Sequence, residues 1–311
     1  MKLNRILIAA SCVLGCMTMA SAGFDQPKEP AAHPVDGQMV RLDAKKLWRF
    51  SYLPNLKMND VQKVAEKLRH PSISPDGRHV VMFDRDADNL ENNRLYEWND
   101  NTMELREIVR GSQVSMFVDW QDDESIFMRE RDKPFFREGA RLNYSIGKKP
   151  MLRGRKPLAD NDYVVYDESD IIILESKKTK TLQAISDSRA DRYFAPILSP
   201  DEKYIVFSSL SSGIHLFDIE ANAVVFIGSH GAYPSFSPDG RYLIYTTNRD
   251  DGHNYTSGDL VLIDLQKRSY RYISNPNNEI RVNATISRGA KQIAYETDDG
   301  NTWRASLNAD Q

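Results

Sequence analysis

Tyr233-Pro-Ser-Phe-Ser-Pro-Asp-Gly-Arg-Tyr-Leu-Ile-Tyr245 decides the fold, because it places a tight turn between two strand-like runs. Ser opens the turn and can bond its own backbone, Pro presets φ, Asp suits the third position, and Gly closes a type I turn. Two runs joined so tightly form a hairpin. The apolar and aromatic alternation resumes directly after the turn, which fixes the register and buries one face. Two further copies occur, His70-Pro-Ser-Ile-Ser-Pro-Asp-Gly-Arg-His-Val-Val-Met-Phe83 and Ala195-Pro-Ile-Leu-Ser-Pro-Asp-Glu-Lys-Tyr-Ile-Val-Phe207.

Weaker copies fill the gaps, around residues 117–128, 157–166 and 284–295. With Ser74, Trp120, Pro157, Ser199, Ser237 and Ser287 as markers, the spacings are 46, 37, 42, 38 and 50 residues. A period of about 40 with four strands per unit is the signature of a propeller blade. Third strands are read at residues 94–98, 171–174, 214–217 and 260–263, and fourth strands at 105–109, 223–227 and 269–273. The fold expected is all-β, a six-bladed β-propeller over residues 70–311.

The last repeat runs out of chain after its third strand, so its fourth must come from elsewhere or leave an edge open. Residues 38–69 contain three candidates for an N-terminal closing strand, at 39–42, 47–52 and 61–64. The rival reading is a short helix over residues 60–69, since Val61, Val64, Ala65 and Leu68 share one helical face.

With Ser74-Pro-Asp-Gly77, Ser199-Pro-Asp201 and Ser237-Pro-Asp-Gly240 on the page, the chain resembles the propeller domain of TolB-like proteins over roughly residues 70–307. That resemblance implies six blades, a periplasmic setting and a docking surface for protein partners. Only about 45 residues precede the first repeat after the N-terminal leader, too few for the separate N-terminal domain expected in TolB. Architecture and a binding role are what carry over.

The N-terminus reads as an export signal: a basic head with Lys2 and Arg5, an uncharged run from Ile6 to Met19, and Ala20-Ser-Ala22 as a cleavage site. The run of 14 residues is shorter than the roughly 20 needed to span a bilayer, so no transmembrane segment is expected in the mature chain. An alternative reading of Val13-Leu-Gly-Cys16 makes Cys16 a lipid anchor on an outer-membrane lipoprotein. Both cysteines, Cys12 and Cys16, lie in this segment, so cleavage after Ala22 leaves no disulfide or thiolate metal site. Residues 23–37 read as a flexible tether. The chain has 41 basic and 44 acidic residues, net −3, and loss of Lys2 and Arg5 lowers this to about −5. That balance gives no reason to expect nucleic acid as a partner.

Propellers carry function on loops near the central channel. The longest, residues 129–141, places Phe135 and Phe136 among Arg131, Lys133 and Arg137, a composition that suits an interface anchor. Arg192, His230, Arg249 and His253 are further binding candidates. Asp84, Asp86 and Asp88 are spaced like the start of a calcium loop, but Asn89 stands where the glycine belongs and Leu95 where the bidentate glutamate belongs. The histidines, His33, His70, His79, His215, His230 and His253, show no zinc spacing, and no G-x-S-x-G elbow or phosphate-cradling loop occurs. The function expected is a non-enzymatic, cofactor-free scaffold binding a protein partner in the cell envelope. The alternative is a carbohydrate-binding or lyase-like propeller using Arg131, Arg192, His230, Arg249 and His253.

Overall fold

The computed structural model describes residues 42–112, 161–187, 189–250 and 255–308, and between them residues 114, 116, 118–120, 123, 125–129, 141–145 and 155–156. Apart from three short 3-10 turns, the regular structure is strand. Two strands, β1 (Ser51–Tyr52) and β2 (Met58–Ala65), precede the first repeat. The first sheet is β3 (Arg69–Ile73), β4 (His79–Asp84), β5 (Arg94–Asn99) and β6 (Glu104–Arg110), hydrogen-bonded in chain order. A second follows with β7 (Val118–Trp120), β8 (Ser125–Arg129), β9 (Arg141–Ser145) and β10 (Arg155–Lys156). Among the described residues the third has three strands, β11 (Tyr163–Glu168), β12 (Ile171–Ser176) and β13 (Thr181–Ala184).

The fourth sheet is β14 (Tyr193–Leu198), β15 (Tyr204–Ser209), β16 (Gly213–Asp218) and β17 (Ala223–Gly228). The fifth joins β18 (Gly231–Phe236), β19 (Tyr242–Asp250), β20 (Tyr255–Asp264) and β21 (Ser269–Tyr272), with β1 added in parallel on β21. The sixth joins β22 (Arg281–Ile286), β23 (Gln292–Thr297) and β24 (Thr302–Leu307), with β2 added antiparallel on β24. The first strand of a sheet lies against its predecessor: β14 beside β11 and β12, β18 beside β15 and β16, β22 beside β18 to β20, and β3 beside β22 and β23.

The larger cores therefore sit between two sheets rather than on one. Ile244, Leu260 and Leu262 of the fifth pack against Ala284, Ile293 and Ala305 of the sixth, while Val81, Phe83 and Leu95 of the first pack with Ile126 of the second. Ala294 of the sixth packs with Val80, Met82 and Trp98 of the first. At about 1.5–3 kcal/mol for each large apolar side chain fully buried, these seams are the main stabilising term.

The N-terminal segment straps the outer edges of three sheets. Trp48 N donates to Val225 O (2.7 Å) on the fourth, Leu53 N to Tyr270 O (3.0 Å) on the fifth, and β2 then pairs with β24 from Met58↔Leu307 to Ala65↔Thr302. The helix considered for residues 60–69 does not form. Asp60 takes a left-handed φ of 49° and the ladder slips twice, so Val64 and Ala65 are both buried whereas Val61 is exposed. Register slips, not a helical turn, produced the apolar spacing.

The repeat turns behave as their letters require. Ser74, Ser199 and Ser237 are buried, and each hydroxyl donates to the Asp two residues on while accepting the N–H five residues on, from His79 (3.0 Å), Tyr204 (2.9 Å) and Tyr242 (2.9 Å). The turns also meet from sheet to sheet. A Cβ on Gly240 would lie 2.7 Å from Asp201 Cγ, and Arg288 N donates to Pro75 O (2.9 Å).

Each first strand of the first, fourth, fifth and sixth sheets bulges at a left-handed residue: His70, Ala195, Tyr233 and Asn283, with φ of 51, 52, 53 and 52°. The first three precede proline, where extended backbone is the ordinary preference. Among the described residues no helix is long and apolar enough to cross a membrane.

Candidate functional site

Opposite the Ser-Pro-Asp turns, the other ends of the third and fourth sheets meet at the connection from β13 to β14. Two local features shape it. Ala190 N donates to Asp187 O (2.9 Å), which turns the connection back toward β14. Gly213 (φ 90°) ends the turn between β15 and β16, and a Cβ there would lie 2.3 Å from Gly228 O, so only glycine fits.

The turn carries the run Ser208-Ser-Leu-Ser-Ser-Gly213, and its hydroxyls converge on one carboxylate. Asp191 Oδ2 accepts from Ser209 Oγ, from Ser211 Oγ (2.6 Å) and, more distantly, from Ser212 Oγ (3.2 Å). Ser209 Oγ and Ser212 Oγ are 2.6 Å apart, and Ser212 Oγ lies 2.8 Å from His215 Nε2. Burial alone would raise the Asp191 pKa. The hydrogen bonds from Ser209, Ser211 and the Arg192 and Ser211 amides outweigh it and hold the carboxyl well below its usual range. Burial pushes the His215 imidazole down to about 4, only partly offset by the Asp191 charge, so the ring is neutral at neutral pH.

His215 is sandwiched among aromatics, stacked on Phe207 (centroids 5.4 Å, 25°) and edge-on to Tyr193 (5.4 Å, 82°). These rings wall a cavity of about 180 Å³, completed by Leu42, Ile185, Ser186, Asp187, Ala190 and Val224. Asp187 is neutralised by a two-pronged bond from Arg189, at 2.9 and 2.8 Å. Acyl transfer needs nucleophile, base and orienting carboxylate in series. Here the carboxylate grips the serines rather than the imidazole, so the network clamps the connection to the hairpin and leaves a neutral histidine as the polar wall of an apolar cavity.

A second buried network lies in the first sheet. Glu97, fully buried, accepts from Arg106 (2.6 Å) and lies 2.7 Å from His79 Nδ1. Burial opposes its ionisation, but those bonds prevail and lower its pKa. This cluster does not line that cavity.

Of the residues singled out in the sequence, Arg131, Phe135, Phe136, Arg137 and His253 lie outside the described residues. Arg192, His230 and Arg249 are exposed at corresponding ends of the fourth and fifth sheets. Arg192 and His230 each stand directly before the first strand of their sheet, and Asn248 N donates to His230 O (3.0 Å), which sets Arg249 beside it. Arg192 Nε donates to Asp170 Oδ2 (3.0 Å).

Two of the three aspartates singled out in the first sheet, Asp84 and Asp86, have local partners. Asp84 pairs with Arg94 (3.2 Å), and Asp86 accepts from Asp88 N (3.0 Å), Asn89 N (3.0 Å) and Asn92 Nδ2 (3.0 Å). Among the described residues no group of three His, Cys, Asp or Glu side chains is placed to hold a metal ion. The Asp191–serine–His215 network escaped sequence reasoning. Its only linear trace is the serine run shortly before a lone histidine, since Asp191 arrives from the preceding connection.

No family model matches the chain. Among solved structures it is similar to the β-propeller domain of Cps50 (Swd1) from Myceliophteria thermophila, at 10% identity and a TM-score of 0.55, over 81% of this chain and 100% of that one. The C-terminal WD40 domain of Sif2 aligns at 13% identity and a TM-score of 0.37, over 78% of this chain and 70% of that one. The tricorn protease aligns at 12% identity and a TM-score of 0.39, over 74% of this chain and 24% of that one. Taken with the successive sheets packed through their first strands, the likeness to the Cps50 domain makes the fold a β-propeller.

Proposed function

We propose that the six sheets are six blades of one ring, closed where β2 completes the last blade, and that the ring is a non-enzymatic scaffold holding a protein partner in the cell envelope. Closure is supported by β3 lying against β22 and β23, and by the pairing of β2 with β24. The envelope setting rests on the export signal read in the first 22 residues and on the resemblance to TolB-like propellers.

The observation that carries the binding role is the exposure of Arg192, His230 and Arg249 on one face, at the end away from the Ser-Pro-Asp turns. Arginines beside a ring of loops are common anchors of protein interfaces. Crosslinking in the native envelope tests the reading on three proteins: the wild type, Arg192→Glu/Arg249→Glu, and Phe135→Ala/Phe136→Ala. The charge reversal is expected to cut partner recovery by about tenfold or more, the loss of more than about 1.4 kcal/mol. Undiminished recovery from both variants would remove this face as the docking surface.

A further inference from the structure

The cavity beside His215 is a built site, and counting protons says what it accepts. Ser209, Ser211 and Ser212 own one hydroxyl proton each. Ser209 and Ser211 give theirs to Asp191, the two short contacts the carboxylate makes. The Ser209–Ser212 contact (2.6 Å) then takes its proton from Ser212. With that proton spent, the 2.8 Å contact between Ser212 Oγ and His215 Nε2 is filled by the imidazole N–H. Neutral His215 is thus the Nε2–H tautomer, and Nδ1 keeps its lone pair.

No described residue hydrogen-bonds that lone pair, although His215 is only 5% exposed. Ser212, which takes Nε2, does not line the cavity, whereas His215 does. The remaining walls are carbon-rich apart from Ser186, whose hydroxyl accepts Ile172 N (2.8 Å), and both neighbouring acids, Asp187 and Asp191, are already engaged. The volume, about 180 Å³, compares with the roughly 150 Å³ of an apolar protein cavity that takes up benzene.

We infer that this cavity binds a small, flat, uncharged aromatic molecule bearing one hydrogen-bond donor, phenol-sized, with the ring against the wall that Tyr193 and Phe207 form together and the donor on His215 Nδ1. A charged ligand would lose its hydration without a free counter-charge among the lining residues described. A ligand offering only an acceptor would set its own lone pair against that of Nδ1. The inference is independent of the scaffold reading.

Long-range proton–nitrogen NMR on the full chain, labelled at histidine nitrogens, tests it with phenol and anisole as probes. The expected spectrum shows His215 as the Nε2–H tautomer, with Nδ1 shifting upfield on phenol addition. Anisole, which has the ring but no donor, should bind about tenfold more weakly. Ser212→Ala keeps the cavity and frees the tautomer, and should narrow the gap between the two probes. His215→Phe should abolish it. An Nδ1–H tautomer in the wild type, equal affinity for both probes, or no response of His215 to phenol would each overturn the site.

Discussion

The turn of the fifth sheet and that of the sixth close the same serine hydrogen-bond frame with different letters and different backbone, left-handed at Gly240 alone in one and at Gly289 and Ala290 in the other. In Ser237-Pro-Asp-Gly240 the serine hydroxyl donates to Asp239 and accepts Tyr242 N (2.9 Å), while Asp239 Oδ1 also accepts Arg241 N (3.2 Å). In Ser287-Arg-Gly-Ala290 the serine still accepts the N–H five residues on, from Gln292 (2.9 Å), but the repeat has no aspartate of its own. Asp239 reaches across instead, and its Oδ2 accepts Gly289 N (3.1 Å). Both turns keep the buried serine, whereas the carboxylate is lent by a neighbour.

The glycines separate the two turns most sharply. Both are left-handed, Gly240 at φ 71° and Gly289 at φ 68°, but a Cβ on Gly240 would strike Asp201 at 2.7 Å while one on Gly289 meets only Lys291 Cε at 3.9 Å. Gly240→Ala should cost about 3 kcal/mol, backbone strain plus a clash between sheets, and Gly289→Ala about 1 kcal/mol from strain alone. Urea unfolding of the two variants checks this. Equal losses would mean that the turns do not abut.

Next come the serines. Ser237→Ala gives up a buried acceptor and a charge-assisted donor, and is expected to lower stability by about 2 kcal/mol, against about 1 kcal/mol for Ser287→Ala. A larger loss at Ser287 would reverse the ranking and show that the borrowed carboxylate does not compensate. The smallest expected effect is the most specific. Asp239→Ala should cost about 1 kcal/mol globally, yet speed amide exchange at Gly289, in the neighbouring sheet, by about tenfold while Gly77 is unchanged. Unaltered exchange at Gly289 would end the idea of a shared carboxylate.

What the chain declares in its letters is local. The Ser-Pro-Asp turns, the strands flanking them and the need for an outer strand on the last sheet are readable because each follows from neighbours in sequence. The left-handed bulges at His70, Ala195 and Tyr233 are hidden, since a residue before proline ordinarily reads as extended and only the partner strand reveals the slip. Arg281, 1% exposed, reads as a surface charge. Its burial is tolerated because Ser274 O (2.9 Å) and Glu279 (3.2 Å) from the preceding loop meet its guanidinium, which also lies 5.2 Å over the Tyr295 ring. The candidate site was least legible of all: Asp191, the serines and His215 belong to separate elements, and none is unusual alone.

The N-terminal strap puts a clock on folding. Met58 pairs with Leu307, so β2, made before the first sheet, finds its partner only when β24 is made. Until then Trp48, Phe50 and Leu56 lack the fourth, fifth and sixth sheets against which they pack, and β24 has a bare edge. Such long-range pairing is slow, and the waiting intermediate is open to misassociation. Loss of β2 and loss of β24 therefore remove the same late pairing.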